Sequence, residues 1–351
     1  MPSLGWNSEF EMHFRPYAAQ GYEVGRVISE QKQSYRLLTE DGELLAQISG
    51  RMRFQAGARE DFPAIGDWVV ISRHDAEERA SIRGILPRQS KFARKIAGNE
   101  TIEQIIAANI NTVFLVNALN YDFNLRRMER YLTMAWDSGA NPVIVLSKAD
   151  LCSKTAERLA EVKEIALGVP VHVVSSLTGE GLDQLAEYLQ VGQTVAMLGS
   201  SGAGKSTMLN YFYGREVQKV QAVRQGDDRG RHTTTSRELV VLSQGGLIID
   251  TPGMRELQLW GTESGLQDSF SDVEELARKC RFSDCQHEQE PGCAVQGALQ
   301  AGTMAQARYE SYLKLKKELA YLSRKMNHAE ALAEKAKWKK IHQMQKTFKH
   351  R

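Results

Sequence analysis

The sequence predicts a multidomain chain: a small antiparallel β-barrel, then an α/β domain on a parallel sheet, then a helical unit folded around a metal. Three observations carry the prediction. Roughly five short β runs separated by turns fill the stretch from Gly21 to Leu86. From Asn111 onward, apolar strands alternate with helical segments. Three of the 4 cysteines, Cys280, Cys285 and Cys293, crowd with His287 into one short stretch.

The bulk composition is globular. With 351 residues, 42% hydrophobic and 25% charged, the chain is long enough for more than one core. A formal charge of +2 is nearly balanced, so attraction to nucleic acid must come from local basic patches. No run approaches the roughly 18 apolar residues that span a bilayer, and "MPSLGWNSEF" lacks the pattern of a signal peptide, so a cytoplasmic protein without membrane contact is expected. The cysteine grouping suits a metal site in a reducing compartment; Cys152 stands apart as an ordinary thiol.

Residues 1–88 form the expected barrel. The runs "YEVGRVI", "SYRLLT", "ELLAQIS", "DWVVIS" and "SIRGIL", with an Asp41-Gly42 hairpin signal, fit an oligonucleotide-binding (OB-fold) barrel best, although periodicity alone also fits an SH3-like barrel. Residues 89–110 read as a linker or helical segment. The α/β domain is expected over 111–262, with strands "TVFLVNA", "PVIVLS", "VHVVS", "TVAML", "ELVVLS" and "LIID" and helices near 125–137, 154–167 and 181–190. Residues 263–351 read as a metal-binding helical domain ending in a basic helix.

Within the α/β domain, Gly199-Ser200-Ser201-Gly202-Ala203-Gly204-Lys205-Ser206 fits G-x-x-x-x-G-K-[ST], following a strand and opening a helix. Its backbone N–H groups suit phosphate oxygens, Lys205 the β- and γ-phosphates, and the Ser206 hydroxyl Mg²⁺, with Thr207 next to it. An acid at a strand end followed by a glycine, Asp250 and Gly253, suits metal orientation and γ-phosphate sensing. Ser147-Lys148-Ala149-Asp150 ends another strand, where a carboxylate accepts the two N–H groups of guanine and the lysine stem lies along the base. Ser175, Ser176 and Leu177 end the next, where backbone N–H groups meet the guanine oxygen. Taken alone, the first two of these stretches fit an ordinary strand-end turn or helix N-terminus better, and the third fits a helix-capping turn equally well.

Together they describe one nucleotide pocket, but in an unusual order. An ordinary GTPase runs loop, switch threonine, D-x-x-G, base motif, serine turn; here the base motif and serine turn come first. The α/β domain is therefore expected to be a circularly permuted P-loop GTPase domain, the cut lying before its fourth strand. The spacing C-x4-C-x-H-x5-C of Cys280, Cys285, His287 and Cys293 supplies three thiolates and one imidazole, a closed structural set for one zinc ion. Nearby apolar residues such as Phe282 are few, so the metal is expected to supply stability there.

The permuted order, with "GRHTTTSREL" at 230–239, "DTPGMRELQLW" at 250–260 and "CRFSDCQHEQEPGCAV" at 280–295, resembles the ribosome small subunit-dependent GTPase A (RsgA) family over nearly the whole chain. The resemblance implies an OB barrel, a permuted GTPase domain and a zinc domain, with GTP/GDP and Mg²⁺ as ligands. It implies a GTP hydrolase acting in late maturation of the small ribosomal subunit and stimulated by that subunit. By the family pattern, Thr234 among the 233–235 threonines completes the Mg²⁺ shell. Two positions depart from common patterns: Ser147 stands where the family usually has Asn, and Met254 where many GTPases place the water-orienting glutamine. His232 is then the candidate for orienting water, with a solvated loop residue or an RNA contact as the equal alternative.

Two basic surfaces suit ribosomal RNA. Arg88, Lys91, Arg94 and Lys95 follow the barrel, and the tail places Trp338, Ile341, Met344 and Phe348 at helical spacing among lysines. The tail equally fits a plain solvated amphipathic helix. Expected partners are the small subunit and its rRNA, with other assembly factors as further candidates and a monomer as the working unit. The competing classes are a nucleotide-gated RNA-binding module with incidental hydrolysis and a P-loop ATPase.

Overall fold

The structure, a computed structural model, describes the chain except residues 32–33, 75–76, 97–98, 215–237, 251–262, 289 and 324–351. His232, Thr234, Gly253, Met254 and the basic tail lie outside the described residues, as do the side chains of Arg94, Lys95 and Asp250.

The barrel is closed. Strands β1 (Glu23–Gln31), β2 (Ser34–Thr39), β3 (Gly42–Ile48), β4 (Trp68–His74) and β5 (Glu77–Ile85) pair in the ring β1-β2-β3-β5-β4-β1, parallel between β3 and β5 and antiparallel elsewhere. A helix, α2 (Gly50–Gln55), lies between β3 and β4. That ring is the OB arrangement and removes the free strand edges. Alternation drives it: in β2, Tyr35 and Leu37 point inward to meet Val27, Val69, Ile71 and Ile82, while Arg36 pairs with Glu43 across the outside. An N-terminal helix, α1 (Ser8–Ala18), capped by the Asn7 side chain on the Glu9 and Phe10 N–H groups, lays Phe10 near the Trp68 ring.

The segment expected as a linker or helix is instead a two-stranded antiparallel sheet, β6 (Lys91–Ile96) with β7 (Asn99–Ala108). Long-range pairing wins there. Phe92, Ile106 and Ala107 are buried against the main core, and Ile65 bridges to Ala107, which a helix in this position would not allow.

The α/β sheet runs β10-β9-β8-β11-β13-β12, from β8 (Thr112–Ala118), β9 (Asn141–Ser147), β10 (Val171–Val173), β11 (Thr194–Gly199), β12 (Glu238–Val241) and β13 (Leu247–Asp250). All neighbours are parallel except β12 with β13. Both faces are covered, so β8 and β11 are buried throughout rather than alternating. Helices α3 (Leu125–Ser138) and α4 (Thr155–Ile165) pack Met128, Leu132, Val162 and Ile165 on one face. On the other lie α5 (Leu182–Leu185) and α6 (Lys205–Tyr213), through Leu182, Leu185, Met208 and Phe212. The strand that carries the phosphate loop, β11, sits between β8 and β13 although it is made after β8, β9 and β10.

One buried arginine joins barrel to sheet. Arg26 on β1 is 1% exposed; its guanidinium donates to the carbonyls of Leu4, Gly66 (3.3 Å) and Asn109 (3.0 Å) and to Thr194 Oγ1 at the start of β11 (2.9 Å). Desolvation pulls its pKa down to about 9 against the attraction of Asp67. Arg26→Ala removes the donor from several buried acceptors at once and is expected to cost about 3 kcal/mol, read as a lower urea midpoint at unchanged slope.

The C-terminal helices α7 (Glu263–Ser269), α8 (Ser271–Ala277), α9 (Ala294–Gln300) and α10, over 306–323, dock on α3. Gly265 permits the close approach of α7: a Cβ there would fall 2.6 Å from the Thr133 carbonyl oxygen. Arg308 seals the joint. It is 4% exposed and pairs with Glu129 of α3 at 2.9 Å and Asp272 of α8 at 2.8 Å, donates to the Ser269 carbonyl and lies 4.1 Å over the Phe270 ring.

Candidate nucleotide site and metal centre

The phosphate loop follows from the packing of β11. A Cβ at Gly199 would stand 2.2 Å from the Val116 carbonyl oxygen on β8, so only glycine lets the strand run this close. Gly202 and Gly204 then adopt left-handed φ values of 73° and 93°, turning the chain into α6 at Lys205. Lys205 reaches back over the loop, its Nζ donating to the carbonyls of Gly199 at 2.7 Å and Ser200 at 2.6 Å. A cation and the N-terminus of α6, bearing Ser206 and Thr207, thus meet beside the backbone of Ser201 to Gly204, an arrangement suited to phosphate.

The base motif meets this loop directly. Ser147, 1% exposed at the end of β9, donates from Oγ to the Ala203 carbonyl at 2.6 Å. Its hydroxyl is therefore a strut between two halves of the pocket. Lys148 follows at φ 60°, placing Asp150 on a short turn over Ala149–Leu151. There Ser175 Oγ donates to Asp150 Oδ1 at 2.6 Å and accepts from the Thr178 N–H at 3.2 Å, fixing one carboxylate oxygen. Ser176 Oγ is buried with no partner in the protein, a polar group left over on the side read as facing the base, and Leu177 beside it is 82% exposed.

Asp250 closes β13 one residue beyond Ile249, which lies opposite Ala196 on β11, so its backbone ends at the level of Met197, two residues before the phosphate loop begins. The structure thus brings together the loop, Ser147, Asp150 and Ser175. Residues 232, 234 and 253 fall outside the description. Sequence reasoning missed Asp122, in the turn between β8 and α3: it accepts from Ser200 Oγ of the phosphate loop and pairs with Arg127 at 2.9 Å. The only signal for it was the acid in "NYDFN", two residues before Asn124, the cap of α3.

The second centre is built by α8, the following loop and α9. The ligand atoms of Cys280, Cys285, His287 and Cys293 all lie within 4.8 Å of one another. Cys280 Sγ and Cys293 Sγ are 3.9 Å apart, and each is 3.5 Å from His287 Nδ1. Zinc bound tetrahedrally to sulfur and nitrogen needs edges of roughly 3.5–3.8 Å, so the donor set and its spacing fit the ion. His287 takes a left-handed φ of 61°, held by Gln296 Nε2 donating to its carbonyl at 2.6 Å. Burial, then Lys316, lowers the His287 pKa and keeps the ring neutral, as a ligand must be. Burial opposes the Cys280 thiolate, but the Ala294 and Val295 N–H groups at the start of α9, together with the Cys293 and Cys285 thiols, offset it and hold its pKa below the ordinary value. A structural zinc ion needs no open position here.

Among the described residues, no helix is long and apolar enough to cross a membrane. The RsgA GTPase family model matches residues 85–260. A small ribosomal subunit biogenesis GTPase RsgA 2 of Lactiplantibacillus plantarum is 49% identical over 86% of this chain and 84% of its own length. The small ribosomal subunit biogenesis GTPase RsgA of Opitutus terrae is 45% identical over 99% and 97%. Among solved structures, YjeQ from Thermotoga maritima superposes with a TM-score of 0.64 at 28% identity, covering 85% of this chain and 99% of its own. YloQ, described as a circularly permuted GTPase, gives 0.60 at 26%, covering 85% and 95%. An ABC transporter model also matches residues 182–350, a stretch that includes the phosphate loop but not the base motif at 147–150.

Proposed function

Because the chain belongs to the RsgA GTPase family, we propose that it hydrolyses GTP in the biogenesis of the small ribosomal subunit, with that subunit as its activating partner. One observation carries the site reading: Ser147 Oγ on the Ala203 carbonyl at 2.6 Å, which ties the base motif to the phosphate loop 56 residues later. A permuted chain needs that convergence, and an isolated glycine-rich turn does not.

We assign the roles accordingly. Asp150, oriented by Ser175, accepts the two guanine N–H groups, and Lys148, Ser176 and Leu177 flank the base. Gly199 to Thr207 wrap the phosphates, with Lys205 against the β- and γ-oxygens. Mg²⁺ would be held by Ser206, Thr234 and Asp250 and, when bound, spreads the charge that develops on the phosphate oxygens. Gly253 senses the γ-phosphate and His232 orients the attacking water, both read from the sequence alone. The barrel and the basic residues after it face RNA. We place the protein in the cytoplasm as a monomer, with other assembly factors as secondary partners.

Asp150→Asn is expected to lower the preference for GTP over ATP by roughly 100-fold, because the amide offers a donor where guanine also donates. Competition of both nucleotides against labelled GDP measures it. The function itself is tested by phosphate release from GTP and from ATP, each with and without purified small subunits. Slow GTP turnover that rises by orders of magnitude with subunits is expected; equal use of ATP, or no stimulation, overturns the proposal.

A further inference from the structure

The turn between β8 and α3 contains a carboxylate that the roles above do not use. Asp122 accepts from Ser200 Oγ, the second residue of the phosphate loop. Arg127, in the first turns of α3, grips the same carboxylate at both oxygens, 3.0 Å from Oδ1 and 2.9 Å from Oδ2, and also donates to the Asp122 carbonyl. The Asp122 N–H is in turn taken by Asn120 Oδ1 at 3.0 Å. The turn is thus fixed from three sides and holds one side-chain hydroxyl of a loop whose carbonyls are held by Lys205 and Ser147. The next residues of α3 belong to a different contact: Glu129 pairs with Arg308 and Arg130 with Glu318, at the seat of the C-terminal helices.

We infer that Asp122 is a positioning residue for the diphosphate grip: held by Arg127, it fixes the phosphate loop through Ser200 and ties the loop to the helix on which the C-terminal domain rests. The inference rests on the nucleotide-site reading above and deepens it. A bidentate arginine–carboxylate pair has one geometry, whereas a solvated carboxylate has many, so the Ser200 hydroxyl is aimed by α3 rather than by its own turn. The loop embraces the β-phosphate, so the effect belongs to ligands that carry one.

The test uses the full zinc-loaded chain, with a fluorescent GDP analogue displaced by GDP or by GMP. Asp122→Ala, Arg127→Ala and Ser200→Ala are each expected to weaken GDP about 10-fold and leave GMP unchanged, and Asp122→Ala/Ser200→Ala to be no worse than Asp122→Ala alone. Ser200→Ala keeps the loop backbone and the turn intact, so the test survives if Asp122→Ala fails to fold. Unchanged GDP affinity in Ser200→Ala and Arg127→Ala, or equal weakening of GDP and GMP, overturns the inference. A wild-type chain that does not bind GDP would instead sink the nucleotide-site reading beneath it.

Discussion

Removing the metal, by a strong chelator or by Cys293→Ala, dissolves the order of residues 280–300 and leaves the central sheet intact. The cluster of three thiols and an imidazole organises two turns with little apolar support of their own: Arg281, Phe282, Asp284 and Glu288 are exposed, and His287 sits in a left-handed conformation. Structural zinc sites contribute on the order of 10 kcal/mol of apparent binding free energy near neutral pH. Helices α7, α8 and α10 share apolar contacts with α3 through Leu266, Phe270, Val273, Tyr312 and Leu315, so they persist. Hydrogen exchange read peptide by peptide, alongside zinc content, should show protection lost across 280–300 with release of about one ion per chain. Unchanged exchange after the zinc is gone would remove the structural role.

Arg308→Ala is the second large effect, an expected loss of roughly 3–5 kcal/mol. Glu129 is fully buried, and its other partner, Arg126, is itself 39% exposed, so deleting Arg308 strands a charge inside the joint. Burial works against the charge on Arg308, but Asp272 and Glu129 outweigh it and raise its pKa, so the side chain stays cationic at any pH where the protein is folded. Replacing both partners, Glu129→Met with Arg308→Met, removes the stranded charge and should recover most of the loss. Urea denaturation of the two variants gives the comparison; a double variant as unstable as Arg308→Ala would mean that shape rather than charge holds the joint.

How much of this was legible follows the range of each interaction. Strand-to-helix alternation, the Asp41-Gly42 hairpin and the glycine-rich loop are local signals, and the barrel and parallel sheet appear where they predict. The permuted order was legible because motif order survives without knowledge of contacts. The cysteine spacing was also sufficient, and the four ligand atoms do converge. The β6–β7 pair was misread because "KFARKIAGNETIEQ" is rich in charged residues and lacks the apolar alternation of a strand, while the pairing itself is set by long-range contacts such as the bridge from Ile65 to Ala107. Arg26, Arg308 and Asp122 were invisible for another reason: in sequence each is an ordinary charged residue, and its partners lie 83, 179 and 78 residues away.

The position of β11 in the sheet also sets an order of assembly during synthesis. The strands β8, β9 and β10, with Asp150 and Ser175, are synthesised before Gly199 to Ser206, so the guanine-reading half of the pocket is made while the phosphate-gripping half does not yet exist. At the usual rate of translation that interval, from Ser175 to Gly199, lasts on the order of a few seconds. Throughout it the edge of β8, buried along its whole length in the finished sheet, has no neighbour on the side that β11 later fills. The two halves of the pocket therefore meet only when β11, made last of the four strands β8 to β11, inserts beside β8.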